Sequence, residues 1–185
     1  MRRTVTLLLA LAAVTALAGC GNKQDRVLHG GTEGIYLDLG ELKYQVQISR
    51  LLNPSNPEDS AYLVGLNGAQ RDLPAGQEWF AVFMRVQNED GRPHPAAKDY
   101  VITDTQNTKF RPIPLGPDNV FAYRPGNVGP HSLLPVPDSP AAEGTIQGSL
   151  LLFKIPTRNL ENRPLVLSIA SPDTPGETAT VNLDV

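Results

Sequence analysis

The sequence predicts an all-β chain folded as a β-sandwich of about seven to nine short strands. Three observations predict it. Apolar residues recur with period two in several segments, and no segment shows a convincing helical period. Two near-continuous apolar runs, Trp79 to Val86 and Ser149 to Ile155, have the length of strands buried on both faces. Seventeen prolines and sixteen glycines in 185 residues supply many chain reversals, which suit short strands better than long helices. A closed barrel is the alternative arrangement of the same strands.

Taken from the start of the chain, Arg2 and Arg3 precede an uncharged apolar stretch from Thr4 to Leu17, the layout of a secretion signal over residues 1–19. The stretch falls short of the about 20 apolar residues that a bilayer span requires. It ends in Leu17-Ala18-Gly19-Cys20, and this tetrapeptide resembles the lipobox of bacterial lipoproteins. The resemblance implies cleavage before Cys20, a diacylglycerol thioether on its sulfur and a further acyl group on the new amino terminus. The expected address is the extracytoplasmic face of the cell membrane, with the lipid as anchor. Two acyl chains hold where one is marginal. Cys20 is the only cysteine, so acylation leaves no thiol for a disulfide in an oxidising compartment.

Residues 20–33 are polar and glycine-rich and are expected to form a lipidated, flexible tether. The domain is expected to span 34–185. Ile35, Leu37 and Leu39 suggest a short first strand, and Leu42, Tyr44, Val46 and Ile48 alternate with polar residues as on a half-buried strand. Asn53-Pro54-Ser55-Asn56-Pro57 is a turn, and residues 61–66 are expected to be a short edge strand. Residues 79–86 form a central strand, ending at the Asn88 to Gly91 turn, and residues 99–104 and 109–111 are expected to make a hairpin. Residues 112–144 hold eight prolines and four glycines, so ladder pairing is not expected there except at 120–123. So long a stretch without regular structure in a compact domain is expected to be functional or partly disordered. Regularity returns at 145–155, 164–170 and 178–185.

The order of these segments resembles a group of bacterial extracellular immunoglobulin-like domains that includes secreted immunoprotective antigens. The matching residues are Tyr44-x-Val46-x-Ile48, Trp79 through Asn88 followed by Asp90-Gly91, Tyr100 through Asp104 leading to Phe110, Gly148 through Pro156, and Leu165-Val166-Leu167. They cover about residues 42–170. The resemblance implies an immunoglobulin-like sandwich acting as an accessory or recognition module, and it carries no catalytic residues with it. Trp79 is similar to the buried tryptophan of antibody domains, without the paired cysteines that flank it there.

Composition narrows function further. Hydrophobic residues make up 41% and charged residues 19%, a globular profile. Residues 1–19 hold two arginines and no acid, so their removal moves the formal charge from −3 to −5. The remaining cations are scattered singly, and nucleic acid is not an expected partner. His29, His94 and His131 share no metal-ligand spacing, so neither a metal nor another cofactor is expected. Gly148-Ser149-Leu150 lacks the remainder of a nucleophile elbow, and Ser132 beside His131 is a neighbour in sequence only. The acids at Glu58-Asp59, Glu89-Asp90, Asp99 and Asp104 read as turn formers and solvating charge.

No enzyme is expected. The function expected is non-catalytic binding, with a protein of the cell envelope as partner and the membrane held through Cys20. Phe121, Tyr123 and Arg124 in the proline-stiffened loop form the candidate contact surface. The alternative is a lipoprotein of an envelope transport system that binds a small ligand or a metal.

Overall fold

The computed structural model describes residues 26–184. The signal segment 1–19, the lipobox residues Leu17, Ala18, Gly19 and Cys20, and residues 21–25 of the expected tether lie outside the described residues.

Two sheets face each other. The first contains β1 (His29–Gly30), β12 (Thr178–Leu183), β11 (Leu165–Ala170), β6 (Tyr100–Thr103) and β7 (Lys109–Phe110), in that spatial order. The second runs β10 (Ser149–Pro156), β4 (Gln77–Asn88), β3 (Leu42–Leu52), β2 (Tyr36–Leu39), with β9 (Leu133–Leu134) against the far end of β4. A separate two-stranded pair joins β5 (His94–Pro95) to β8 (Asn127–Val128). Pairing is antiparallel throughout the ladders except for β1 beside β12. Seven strands have four residues or more and carry the sandwich.

The core follows from the alternation. Phe80, Val82, Met84 and Val86 of β4 face Ile102 of β6 and Leu165, Leu167 and Ile169 of β11 across the main interior. The intervening residues of β4, Trp79, Ala81 and Phe83, face the other way into a second apolar cluster. That cluster is roofed by α1 (Pro57–Tyr62), by the chain around α2 (Gly68–Arg71), and by residues 113–122. Both faces of β4 are therefore dry, as its unbroken apolar run requires. The same holds for Leu150 to Phe153 in β10.

Four sequence expectations need correction. Residues 26–33 are part of the domain: His29 and Gly30 pair with Thr180 and Val181, Arg26 forms an ion pair with Glu177 at 2.6 Å, and Glu33 accepts from Ser49 and from the Asp184 N–H. Their polarity serves contacts with the chain's distant end, a pairing that local composition does not show. Residues 61–66 are no edge strand. Asn56 caps α1 by accepting from the Glu58 N–H at 2.9 Å, Pro57 opens the helix, and Leu63 to Gly65 follow it in a turn.

The third correction concerns Ile48. A bulge between Val46 and Ile48 shifts the register so that Ile48 lies opposite Phe83 and Ser49 opposite Val82. One inserted residue exchanges the faces, leaving Ile48 exposed and Ser49 buried. Finally, residues 112–144 are ordered onto the sandwich rather than loose. They contribute β8, β9 and α3 (Pro140–Glu143), and between 120 and 123 the only pairing is a parallel bridge of Ala122 to Leu150.

Candidate functional site

Buried polar side chains fasten the long loops first. Asn88 donates from Nδ2 to the carbonyls of Arg92, Val128 and Gly129, at 2.7, 3.0 and 2.8 Å, closing the β4 turn onto β8. Asn119 donates to the Tyr62 and Val64 carbonyls at 2.9 and 2.8 Å and accepts from the Phe121 N–H at 3.0 Å. Gly116 meets Gly65 backbone to backbone, its N–H donating to the Gly65 carbonyl at 2.9 Å. A β-carbon on Gly116 would lie 2.8 Å from that oxygen, so only glycine fits.

Fixed in this way, residues 111–125 wall a cleft of about 410 Å³ on the open side of the sandwich, where β7 and β10 lie side by side. Its floor is Leu150, Leu151 and Leu152 of β10, and Tyr100 and Tyr123 close its inner end. Lys98, Arg111 and Arg124 stand on its rim with a single acid, Asp99. Lys98 and Arg111 are exposed and form no ion pair among the described residues. Such a cleft, apolar below and cationic at the mouth, has the chemistry to hold an anionic group attached to an apolar body.

The candidate loop residues reach this cleft unequally. Tyr123 is buried, and its hydroxyl donates to the Ala97 carbonyl at 2.8 Å. Phe121 is half-buried against Tyr62, with ring centroids 4.8 Å apart and edge on. Phe121 packs against the second core, whereas Tyr123 joins the main core and still lines the cleft. Arg124 is exposed, donating to the carbonyls of Leu115, at 2.8 Å, and Gly116. Lys98 and Arg111 carried no motif and were missed; their one signal was position, each flanking a strand that ends at the cleft.

Tyr44 and Tyr123 both bond the Ala97 backbone behind the cleft, beside Tyr100. The Tyr44 hydroxyl accepts from the Ala97 N–H at 2.8 Å, and burial pushes its pKa up to about 12. Burial also raises Tyr123 and holds Tyr100 well above the ordinary phenol range. The Tyr100 hydroxyl is buried without a hydrogen-bond partner among the described residues. All three are neutral at physiological pH, which leaves the charge of the cleft to its rim.

Two of the acids sort differently from expectation. Asp104 is buried: its carboxylate accepts from the Gln106 and Thr108 N–H groups, at 2.9 and 2.8 Å, and from Asn159 and Asn162, at 2.8 and 3.1 Å. The Asn159 hydrogen bond leads in holding its pKa well below the carboxylate range. Asp59 is buried as well, paired with Arg50 and accepting from the Asn53 N–H at 2.8 Å. These two are internal fasteners, not solvating charge. His94 is held too, its Nε2 lying 2.7 Å from Asp90 Oδ2 on a largely covered ring. That contact, followed by the Gly91 N–H, lowers the Asp90 pKa. The His131 N–H donates to the Asp90 carbonyl at 3.1 Å, but its ring is exposed. Among the described residues, no three His, Cys, Asp or Glu side chains are grouped to hold a metal ion.

The fold defined by these sheets is a β-sandwich. Comparison with solved structures finds chains similar to it. The crystal structure of the yjhA protein from Bacillus subtilis is similar with a TM-score of 0.54 at 12% identity, covering 83% of this chain and 99% of that one. An uncharacterized β-sandwich protein from Clostridium difficile 630 is similar with a TM-score of 0.46 at 9% identity, over 84% and 95% of the two chains. At such identities the first likeness speaks for the fold alone. No family model and no curated protein matches the chain.

Proposed function

We propose that the chain is a lipid-anchored, extracytoplasmic binding module of the immunoglobulin-like kind, non-catalytic, with the lipid on Cys20 and a cell-envelope protein as partner in the cleft walled by residues 111–125. The observation that carries the reading is the cleft itself, which joins an apolar floor to a rim of three cations and one acid. The tetrapeptide Leu17-Ala18-Gly19-Cys20 supports the anchor. A second reading, a small anionic ligand in the same cleft, is favoured by its volume, which lies within the range of small-molecule sites.

The test uses the full chain expressed with its own N-terminus. Detergent-phase partition and intact mass report acylation, which Cys20→Ser abolishes. A photoactivatable residue in place of Arg111 is expected to crosslink a single envelope protein that the same residue in place of the exposed Glu161 does not reach. Water-phase partition with an unmodified thiol would remove the anchor from the reading. Equal crosslinking from both positions would remove the cleft. Thermal stabilisation by small organic anions with no crosslinked partner would favour the second reading.

A further inference from the structure

A second pocket, which shares no lining residue with the cleft and does not depend on the reading given for it, opens where β9 and α3 meet β4. β9 pairs with the end of β4 through Leu134 and Val86 and through Leu133 and Gln87. α3 is tied to the foot of β10, the Gly148 N–H donating to the Ala141 carbonyl at 2.9 Å. Ser139 caps that helix by accepting from the Ala142 N–H at 3.3 Å. Between these elements lies a hollow of about 160 Å³, to which Arg85, Glu143 and Gln147 bring polar groups and Leu133, Pro135 and Ala142 apolar ones. None of these six residues is buried, so each can be touched from solvent.

Arg85 is the unusual member. It stands two positions beyond Phe83 on the same face of β4 and is half-buried. Among the described residues, four lysine and arginine side chains are half-buried: Lys43, Arg50, Arg85 and Lys154. Lys43 pairs with Glu89, Arg50 pairs with Asp59, and Lys154 donates to the Asp72 carbonyl at 2.5 Å. Arg85 alone has neither a hydrogen bond nor an ion pair among the described residues. A guanidinium donates hydrogen bonds and accepts none, and one drawn partly out of water without an acceptor is held at a cost. A carboxylate relieves that cost through paired bonds. Glu143 lines the same pocket but stands too far from Arg85 to pair with it. A simple anion would be drawn by one of these groups and repelled by the other, whereas a ligand carrying both charges satisfies both. Volume sets its size, since the pocket has room for about five waters, close to the heavy-atom count of the smallest amino acids. We propose that this pocket binds a small α-amino acid as its zwitterion. The carboxylate accepts from Arg85, the ammonium group donates to Glu143, and the short side chain rests against Pro135.

The probe is L-alanine, titrated calorimetrically into the full chain in detergent at about pH 7, where its amino and carboxyl groups are both charged. It should bind saturably with a Kd of about 1 mM or tighter. N-Acetylalanine keeps the carboxylate without the ammonium group, and alanine methyl ester keeps the ammonium group without the carboxylate. Each should bind about tenfold more weakly or worse, and phenylalanine should not fit. Arg85→Gln and Glu143→Gln should each weaken alanine binding by about tenfold or more. The Glu143 side chain is exposed, so its variant carries the test even where Arg85→Gln lowers the melting temperature. Lys98→Glu with Arg111→Glu, which reverses charge at the cleft, should leave alanine binding unchanged. The proposal is overturned by the absence of saturable binding up to about 20 mM alanine, or by N-acetylalanine binding as tightly, which would make this a simple anion site. Indifference to Glu143→Gln would overturn it too. So would loss of alanine binding in the cleft variant, which would move the ligand to the cleft and leave the pocket beside Arg85 without one.

Discussion

The Tyr62–Phe121 contact decides whether the long proline-rich segment is a structural layer in solution. Tyr62 is 2% exposed, and its ring stacks edge on against Phe83 at 4.9 Å and Phe121 at 4.8 Å. An aromatic side chain buries roughly 150–250 Å², which at about 25 cal/mol per Å² gives roughly 4–6 kcal/mol. Alanine keeps the β-carbon, so Tyr62→Ala should cost about 3–5 kcal/mol, the usual range for an aromatic truncated in a core. Phe121 is only half-buried, and Phe121→Ala should cost about half as much.

The two changes should not add. Their ring contact is worth about 0.5–1.5 kcal/mol beyond area, so the double variant should be less destabilised than the sum by about that amount. Urea unfolding followed by far-ultraviolet circular dichroism and by fluorescence supplies the four free energies. The single Trp79 lies in the same second core, so its emission reports on this layer directly. A Phe121→Ala cost below about 0.5 kcal/mol with no coupling would mean that residues 112–123 leave the sandwich in solution, and the cleft would lose its wall.

Three further outcomes are expected. Asp104→Asn places an amide where four donors converge and should destabilise the fold at neutral pH. Because the folded pKa is depressed, the carboxylate's contribution is fully present above the unfolded value of about 3.9 and is lost as pH falls toward the folded value. The gap between wild type and variant should therefore close on acidification, and a gap constant from pH 7 to pH 3 in thermal melts would refute the assignment. Asn88→Ala strips one donor group from three carbonyls and should cost about 1–3 kcal/mol in denaturant unfolding, with faster amide exchange in β8 than in β11. Gly116→Ala drives a methyl into the Gly65 carbonyl and should cost about 1–3 kcal/mol, whereas Gly126→Ala, with open space around its α-carbon, should cost under about 1 kcal/mol.

What the sequence disclosed and what it hid divide along physical lines. Period-two alternation showed β3, β11 and β12, and the unbroken apolar runs showed that β4 and β10 are covered on both faces, because each signal is local. The Asn56-Pro57-Glu58 start of α1 was equally local, a cap and a proline at the first turn, but was read as part of a turn. The bulge at Gln47 left no trace in composition, and it decides which way Ile48 faces. Arg26, Glu33 and Asp104 read as surface charge because partners of theirs sit elsewhere in the chain, those of Arg26 and Glu33 as far as 151 positions away, while Asp59 meets Arg50 and the Asn53 N–H only nine and six positions away, in a turn whose burial the sequence does not show. The cleft escaped for the same reason. Arg124 drew notice as a loop cation, but Lys98 and Arg111 join it only once two edge strands are brought alongside each other.

The clasp of Arg26 on Glu177 has a consequence for reach. With fat on Cys20, only residues 21–25 are left between bilayer and clasp, and six α-carbon steps at about 3.3–3.6 Å each extend to roughly 20 Å at most. If Cys20 carries the proposed lipid, the sandwich would be held close to the lipid surface, with the strand ends near Gly40 and Glu177 toward it. A partner would have to approach sideways, close to the headgroups, and one confined to a distant layer would never meet it.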